Sequence, residues 1–340
     1  MSGHAVASLP MNQPVDPLAP PTPLSSPEPN APGSPSPEDH ALSPPEGLPE
    51  RIFTDSKGVR LGWRIFLYFS LVFAIARLLG WLGSSFFPES AGGVVHLWQE
   101  FYGEAASLAG ALIAALILAR IEQRSVDVYG LPRAQTFGGW FWIGAVWGLF
   151  WISALLLLMH GAHVFDFGRL ALQGQRIWKF ALFWGTYFVI VALFEEFLFR
   201  GYFQAVLTER AGFWSTATLS SIMFGAVHLG NRGEGIIGAL GAAMIGLFFC
   251  LTLRRTGTLW FAVGFHAAWD WGETFLYGVP DSATTEPGHL LSPSIHGNHW
   301  LTGGIVGPEA SVLLLVILAA MWLAFDRSYR VARYGLSTQA

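Results

Sequence analysis

From Arg64 onward, apolar stretches of helical spanning length alternate with short polar connections. Since about 20 predominantly apolar residues cross a bilayer as a helix, the pattern predicts eight transmembrane helices, over 64–86, 103–120, 138–160, 179–206, 213–229, 235–253, 258–279 and 308–325. The interval from Ala134 to Phe165 contains no Asp, Glu, Lys or Arg, longer than one span requires. No internal repeat accompanies the alternation. The fold class expected is all-α, a polytopic membrane helical bundle of about eight transmembrane helices.

The first fifty residues break the pattern. They hold 14 of the 20 prolines, mixed with Ser, Glu and Ala, and no Lys or Arg. Such a composition cannot bury a core and lacks the basic and apolar regions of a secretory signal, so residues 1–50 are expected to form a disordered Pro-rich cytoplasmic tail. Residues 51–335 then form the transmembrane domain. Composition sharpens the class: across 340 residues 52% are hydrophobic and 12% charged, with mean hydropathy +0.44, against about 25% charged residues in soluble domains. Outside the tail, 19 basic residues face 17 acidic ones, a balance that argues against nucleic-acid binding. The single cysteine, Cys250, lies in an apolar segment and has no partner for a disulfide; it reads as a small buried residue.

Charge also orients the chain. Arg51, Lys57, Arg60 and Arg64 precede the first span, Arg120, Arg124 and Arg133 follow the second, Arg254 and Arg255 the sixth, and Arg327, Arg330 and Arg333 the eighth. The connections 87–99 and 280–307 contain no Lys or Arg. The positive-inside bias therefore places both termini in the cytoplasm of a cell-membrane protein, with Arg169, Arg176 and Lys179 dissenting. On this orientation the fourth span runs towards the cytoplasm. A chamber open to the cytoplasmic side is expected, with the 280–307 connection as its lid.

Ionisable side chains inside spans are costly and mark functional positions. The fourth span ends with Glu195, Glu196 and Arg200; the fifth contains Phe224 and His228; the seventh contains His266 and Asp270. Glu196 and Arg200 are helical i,i+4 neighbours in the favourable order for an ion pair, which leaves Glu195 free about 100° around the axis, although either acid could take the arginine. A free carboxylate between an apolar site and a guanidinium suits a general base. Asp270 is i,i+4 to His266 and can accept its N–H, fix its tautomer and prepare it to donate to an oxyanion. His228 needs a partner from another span, either Glu195 through a water or a metal ion. Glu273, one turn beyond Asp270, belongs either to the rim of this set or to a helix interface. His289, His296 and His299 match no metal-ligand spacing.

A single intramembrane His is commonly a helix-to-helix hydrogen-bond partner, and a Glu–Arg pair at a helix end commonly structural. Six such residues on three spans within 76 residues form too dense a polar set for packing alone. The chain has no H-E-x-x-H, G-x-S-x-G or P-loop motif, which argues against the corresponding zinc proteases, serine hydrolases and nucleotide-driven transporters.

The ordered set Glu195, Glu196, Arg200, then Phe224 and His228, then His266 and Asp270 resembles the CPBP (CAAX prenyl protease and bacteriocin-processing, or Abi) intramembrane proteases, over about 178–280. The resemblance implies that Glu195 and His228 activate a water, that Glu196 and Arg200 support the helix, and that His266, with the residue at Asp270, binds the carbonyl oxygen. Family members often carry Asn at the last position. An ionised Asp cannot donate a hydrogen bond, so Asp270 is assigned to orienting His266, and Asn231, one turn beyond His228, to supplying the donor. Phe224 and Asn231 are the expected substrate contacts. The implied function is intramembrane endopeptidase, acting on a membrane peptide or protein by a glutamate-activated water without a cofactor. Two alternatives remain: a zinc protease with the ion between Glu195, His228 and His266, and a catalytically idle, immunity-type protein that binds a partner.

Overall fold

The computed structural model describes residues 54–55, 58–87, 94–231 and 233–334; the expected disordered tail lies outside them. A two-stranded hairpin, β1 (Thr54–Asp55) and β2 (Gly58–Val59), leads into α1 (Leu61–Ser84). There follow α2 (Val94–Ile121), α3 (Gly139–Gly161), β3 (Phe165–Leu170), α4 (Gln175–Arg200), α5 (Tyr202–Ala211), α6 (Phe213–His228), α7 (Ile236–Thr256) and α8 (Trp260–Trp271). A six-residue π-helix, Gly272–Tyr277, continues α8, and β4 (Leu291–Ile295), α9 (His299–Thr302) and α10 (Val312–Ser328) complete the chain.

The protein is an all-α, multi-pass membrane bundle. Among the described residues five helical segments are long and apolar enough to cross a membrane: Leu61–Ser84, His96–Ile121, Gly139–Gly161, Gln175–Ala211 and Ile236–Thr256. The other three expected spans are helical but shorter, at 16 residues in α6, 12 in α8 before its π-turn and 17 in α10. The fourth span is not one helix. It breaks at Gly201 (φ −82°, ψ −114°), where a side chain would run into the Phe197 carbonyl.

Helix-to-helix contact in a membrane has no hydrophobic driving force and relies on small residues that let backbones approach. Gly144 and Gly148 of α3 meet Gly264 of α8 in this way. A Cβ at Gly144 would overlap the carbonyl oxygen of Phe261, one at Gly148 that of Phe265, and one at Gly264 that of Phe141. This seam fixes α8, and with it His266 and Asp270, against α3.

Two features fall outside the sequence reading. β3 pairs antiparallel with β4, Phe165 opposite Ile295 and Leu170 opposite Leu291, clasping the connection after α3 to the long loop after α8. At the other end of the bundle Arg64, counted above only as a topological charge, is buried. It bonds Glu122 through Nε (2.8 Å) and Nη2 (2.6 Å) and Glu209 through Nη1 (3.3 Å). Tyr202 also donates to Glu122, and Arg124 pairs with Glu209. The network ties α1, the end of α2 and α5 together at the basic end.

Candidate active site

The last turns of α4 turn their acids in different directions, as a 100° step requires. Glu196 and Arg200 have no exposed surface and pair at 3.3 Å. The guanidinium lies 4.3 Å from the centre of the Phe224 ring on α6, a cation–π contact. Gly246 of α7 leaves it room, since a Cβ there would collide with Nη2. Phe224 is itself buried, so its first partner is this arginine.

Glu196 has a second partner. Its Oε1 also lies 3.1 Å from His266 Nδ1. His266 Nε2 lies 3.3 Å from Asp270 Oδ2 and 3.7 Å from Glu195 Oε2, while the ring stacks on Phe249 at 5.7 Å and 21°. The imidazole thus stands among three carboxylates from two helices. Glu195 is not left free, as the helical wheel suggested: it faces His266, at a distance that only the crossing of α4 and α8 could set.

His228 ends α6, with Nδ1 2.8 Å from the carbonyl of Phe224 one turn back. An Nδ1–H spent on that oxygen leaves Nε2 as an acceptor. Glu195, His228, His266, Asp270 and Asn231 all line one cavity of about 280 Å³. Glu196, Arg200 and Phe224 do not line it; Phe224 borders a smaller adjoining pocket of about 60 Å³, which His228, His266 and Asp270 also border. Glu100 and Glu104 of α2 and Asp281, Glu286 and Glu309 of the loops add to the wall, which carries no Lys or Arg among the described residues. Glu100 and Glu104 went unnoticed in sequence. An i,i+4 acid pair inside an apolar helix was the available signal.

Burial, followed by the charge of Glu309, pushes the Asp281 carboxyl up to about 8. The loop residues in the wall correct the expectation about access. The cavity lies at the bundle end that carries the 278–311 connection, opposite the end of Arg64, Arg254 and Arg327, so it does not open among the basic residues. Residues Asp281 to Glu286 form part of its wall rather than a lid over a chamber facing the other way.

Zinc held between Glu195, His228 and His266 meets an obstacle in this geometry. Nδ1 of His266 is taken by Glu196, and Nε2 lies beside the carboxylates of Asp270 and Glu195. A ring protonated on both nitrogens to face these acids has no lone pair for a metal, so His266 fits poorly as a zinc ligand.

Residues 176–272 match the family model described as type II CAAX prenyl endopeptidase Rce1-like, within the CPBP family. The match begins at the start of α4, ends on the first residue of the π-helix and contains all six of the ionisable residues singled out above. No curated protein matches the chain. Over this segment the protein is similar to a family of membrane endopeptidases.

Proposed function

We propose that the protein is an intramembrane endopeptidase in which Glu195 is the general base. The observation that carries the reading is that Glu195, His228, His266 and Asp270, from three helices, line one polar cavity of about 280 Å³, large enough for several waters, within a largely apolar bundle. A water in that cavity gives a proton to Glu195 while its oxygen adds to the peptide carbonyl carbon. His228 Nε2, free to accept, orients the same water. His266 donates from Nε2 to the oxyanion that forms, held in place by Asp270 beside that nitrogen and by Glu196 on Nδ1. The proton on Glu195 then passes to the leaving nitrogen as the C–N bond breaks. Arg200 and Phe224 support Glu196 from behind, and Asn231 at the cavity wall supplies a further donor to the bound peptide.

The substrate is a peptide presented at the membrane, and the matched family makes a prenylated C-terminal peptide the first to try. The positive-inside bias supports a cell-membrane location with both termini cytoplasmic, which puts the mouth of the cavity on the other side. Parent and Glu195→Gln, reconstituted in liposomes, should be given a farnesylated CAAX peptide and a non-lipidated transmembrane peptide. Cleavage of either by the parent should fall by ~10²- to 10⁴-fold in the variant, the scale for a lost general base, with an unchanged unfolding midpoint. Equal cleavage by the two proteins would refute the assignment.

A further inference from the structure

Glu273 sits in the π-helix that continues α8. It is fully buried, and neither of its carboxylate oxygens accepts a hydrogen bond of ordinary geometry among the described residues, although the Trp269 indole is a neighbouring donor. One oxygen each of Asp270, Glu273 and Asp281 lie within 4.8 Å of one another. The wide turn of the π-helix and the loop that follows bring the three together. Thr274 donates to Asp281 Oδ2 at 3.4 Å, and among the described residues His266, beside Asp270, is the one cationic partner that ion pairing gives the trio. No Lys or Arg lines the adjoining cavity. A buried carboxylate needs hydrogen bonds, a counter-charge, a metal or a proton, and Glu273 has no ion pair and no hydrogen bond of ordinary geometry among the described residues.

We propose that Asp270, Glu273 and Asp281 bind a hard divalent cation, Ca²⁺ in preference to Mg²⁺. The ligand atoms are all oxygens, the set such ions take, with no nitrogen or sulfur to favour zinc. Three carboxylates drawn from α8, its π-turn and a loop form an irregular set that suits Mg²⁺, which demands a near-ideal octahedron, less well than Ca²⁺, which accepts irregular oxygen shells completed by water. The ion joins the loop wall of the cavity to the helix that carries His266. It shares Asp270 with the proposed hydrolytic site but requires no hydrolysis, so the site is tested by binding alone.

Full-length protein, purified in detergent and washed with chelator, is titrated with Tb³⁺, whose luminescence Trp269 and Trp271 beside the site can sensitise, and then with Ca²⁺ and Mg²⁺ as competitors. One saturable Tb³⁺ site is expected, displaced by Ca²⁺ at lower concentration than by Mg²⁺. At a hundredfold excess over its dissociation constant, Ca²⁺ should raise the unfolding midpoint by about 5 °C. Glu273→Gln and Asp281→Asn should each lose the luminescence and the shift. Asp281→Asn, on the loop, decides the matter if Glu273→Gln does not fold. No saturable signal in the folded parent, or undiminished binding in Asp281→Asn, would overturn the site. So would a parent that ignores Ca²⁺ while Glu273→Gln is more stable without it, since Glu273 would then be neutralised by a proton.

Discussion

Arg200→Met should be among the most damaging single changes in the chain. The side chain has no exposed surface, pairs with Glu196 at 3.3 Å and covers the Phe224 ring at 4.3 Å. Methionine fills much of the volume and removes the charge, leaving Glu196 buried with His266 as its remaining cationic partner. Breaking a buried ion pair from one side costs about 3 to 5 kcal/mol, because the other charge is stranded. The lost cation–π contact adds up to about 2 kcal/mol in a desolvated setting. Glu196→Gln should cost less, since the amide oxygen still accepts from His266. The double variant should recover about 1 to 3 kcal/mol relative to the sum of the two single losses, the range for residues in direct contact. Reversible unfolding in mixed micelles, followed by tryptophan fluorescence for all four proteins, supplies the cycle. Losses that add within about 0.5 kcal/mol would mean that the pair is not coupled, and the support assigned to Glu196 and Arg200 would fall.

Gly264→Val should destabilise by more than the ~1 to 3 kcal/mol usual for overpacking, because the new side chain meets the Phe141 carbonyl rather than a movable group; an unchanged unfolding midpoint would refute the seam. Burial raises the Glu234 carboxyl above the usual carboxylate range. The folded chain therefore holds a proton that the unfolded chain has released, and stability should fall as pH rises from the usual carboxylate value to the raised one. Glu234→Gln should flatten that part of the stability profile, and an identical profile would refute the assignment. In a Cys250→Ala background, Ser294→Cys should react in intact cells with an impermeant thiol reagent, and Ser328→Cys should not. The reverse pattern would invert the membrane orientation and bring the cavity mouth to the cytoplasm.

The helices were legible because membrane insertion writes itself into composition: a segment such as Gly139–Gly161 can be little else. Their lengths were less so, since α6, α8 and α10 lie partly inside the bundle and need not present a full apolar span. The Glu196–Arg200 and His266–Asp270 pairs could be anticipated because both are local, set by the helical repeat alone. The approach of Glu195 and Glu196 to His266 is a contact between helices 70 residues apart, and no periodicity encodes it. Pairing of Arg64 with Glu122 and of β3 with β4 escaped notice for the same reason. The position of the cavity was misjudged by reasoning from the direction of the fourth span. Glu100 and Glu104 on α2 were visible as an i,i+4 acid pair in an apolar helix, but that they share a wall with Glu195 follows only once α2 is packed beside α4.

A membrane peptide that reaches the proposed site from within the bilayer must enter sideways, through a pair of helices able to part. The α3–α8 seam, closed by Gly144, Gly148 and Gly264 with backbone against backbone, has no side chains to rotate out of the way and cannot serve as that gate. His266 and Asp270 stand on the immovable jamb of the doorway. His228, at the end of a 16-residue helix and followed by a seven-residue connection to α7, stands outside that seam. A substrate that pushed α6 away from this fixed pair would separate His228 from His266 and Asp270, and would be bound without being cut.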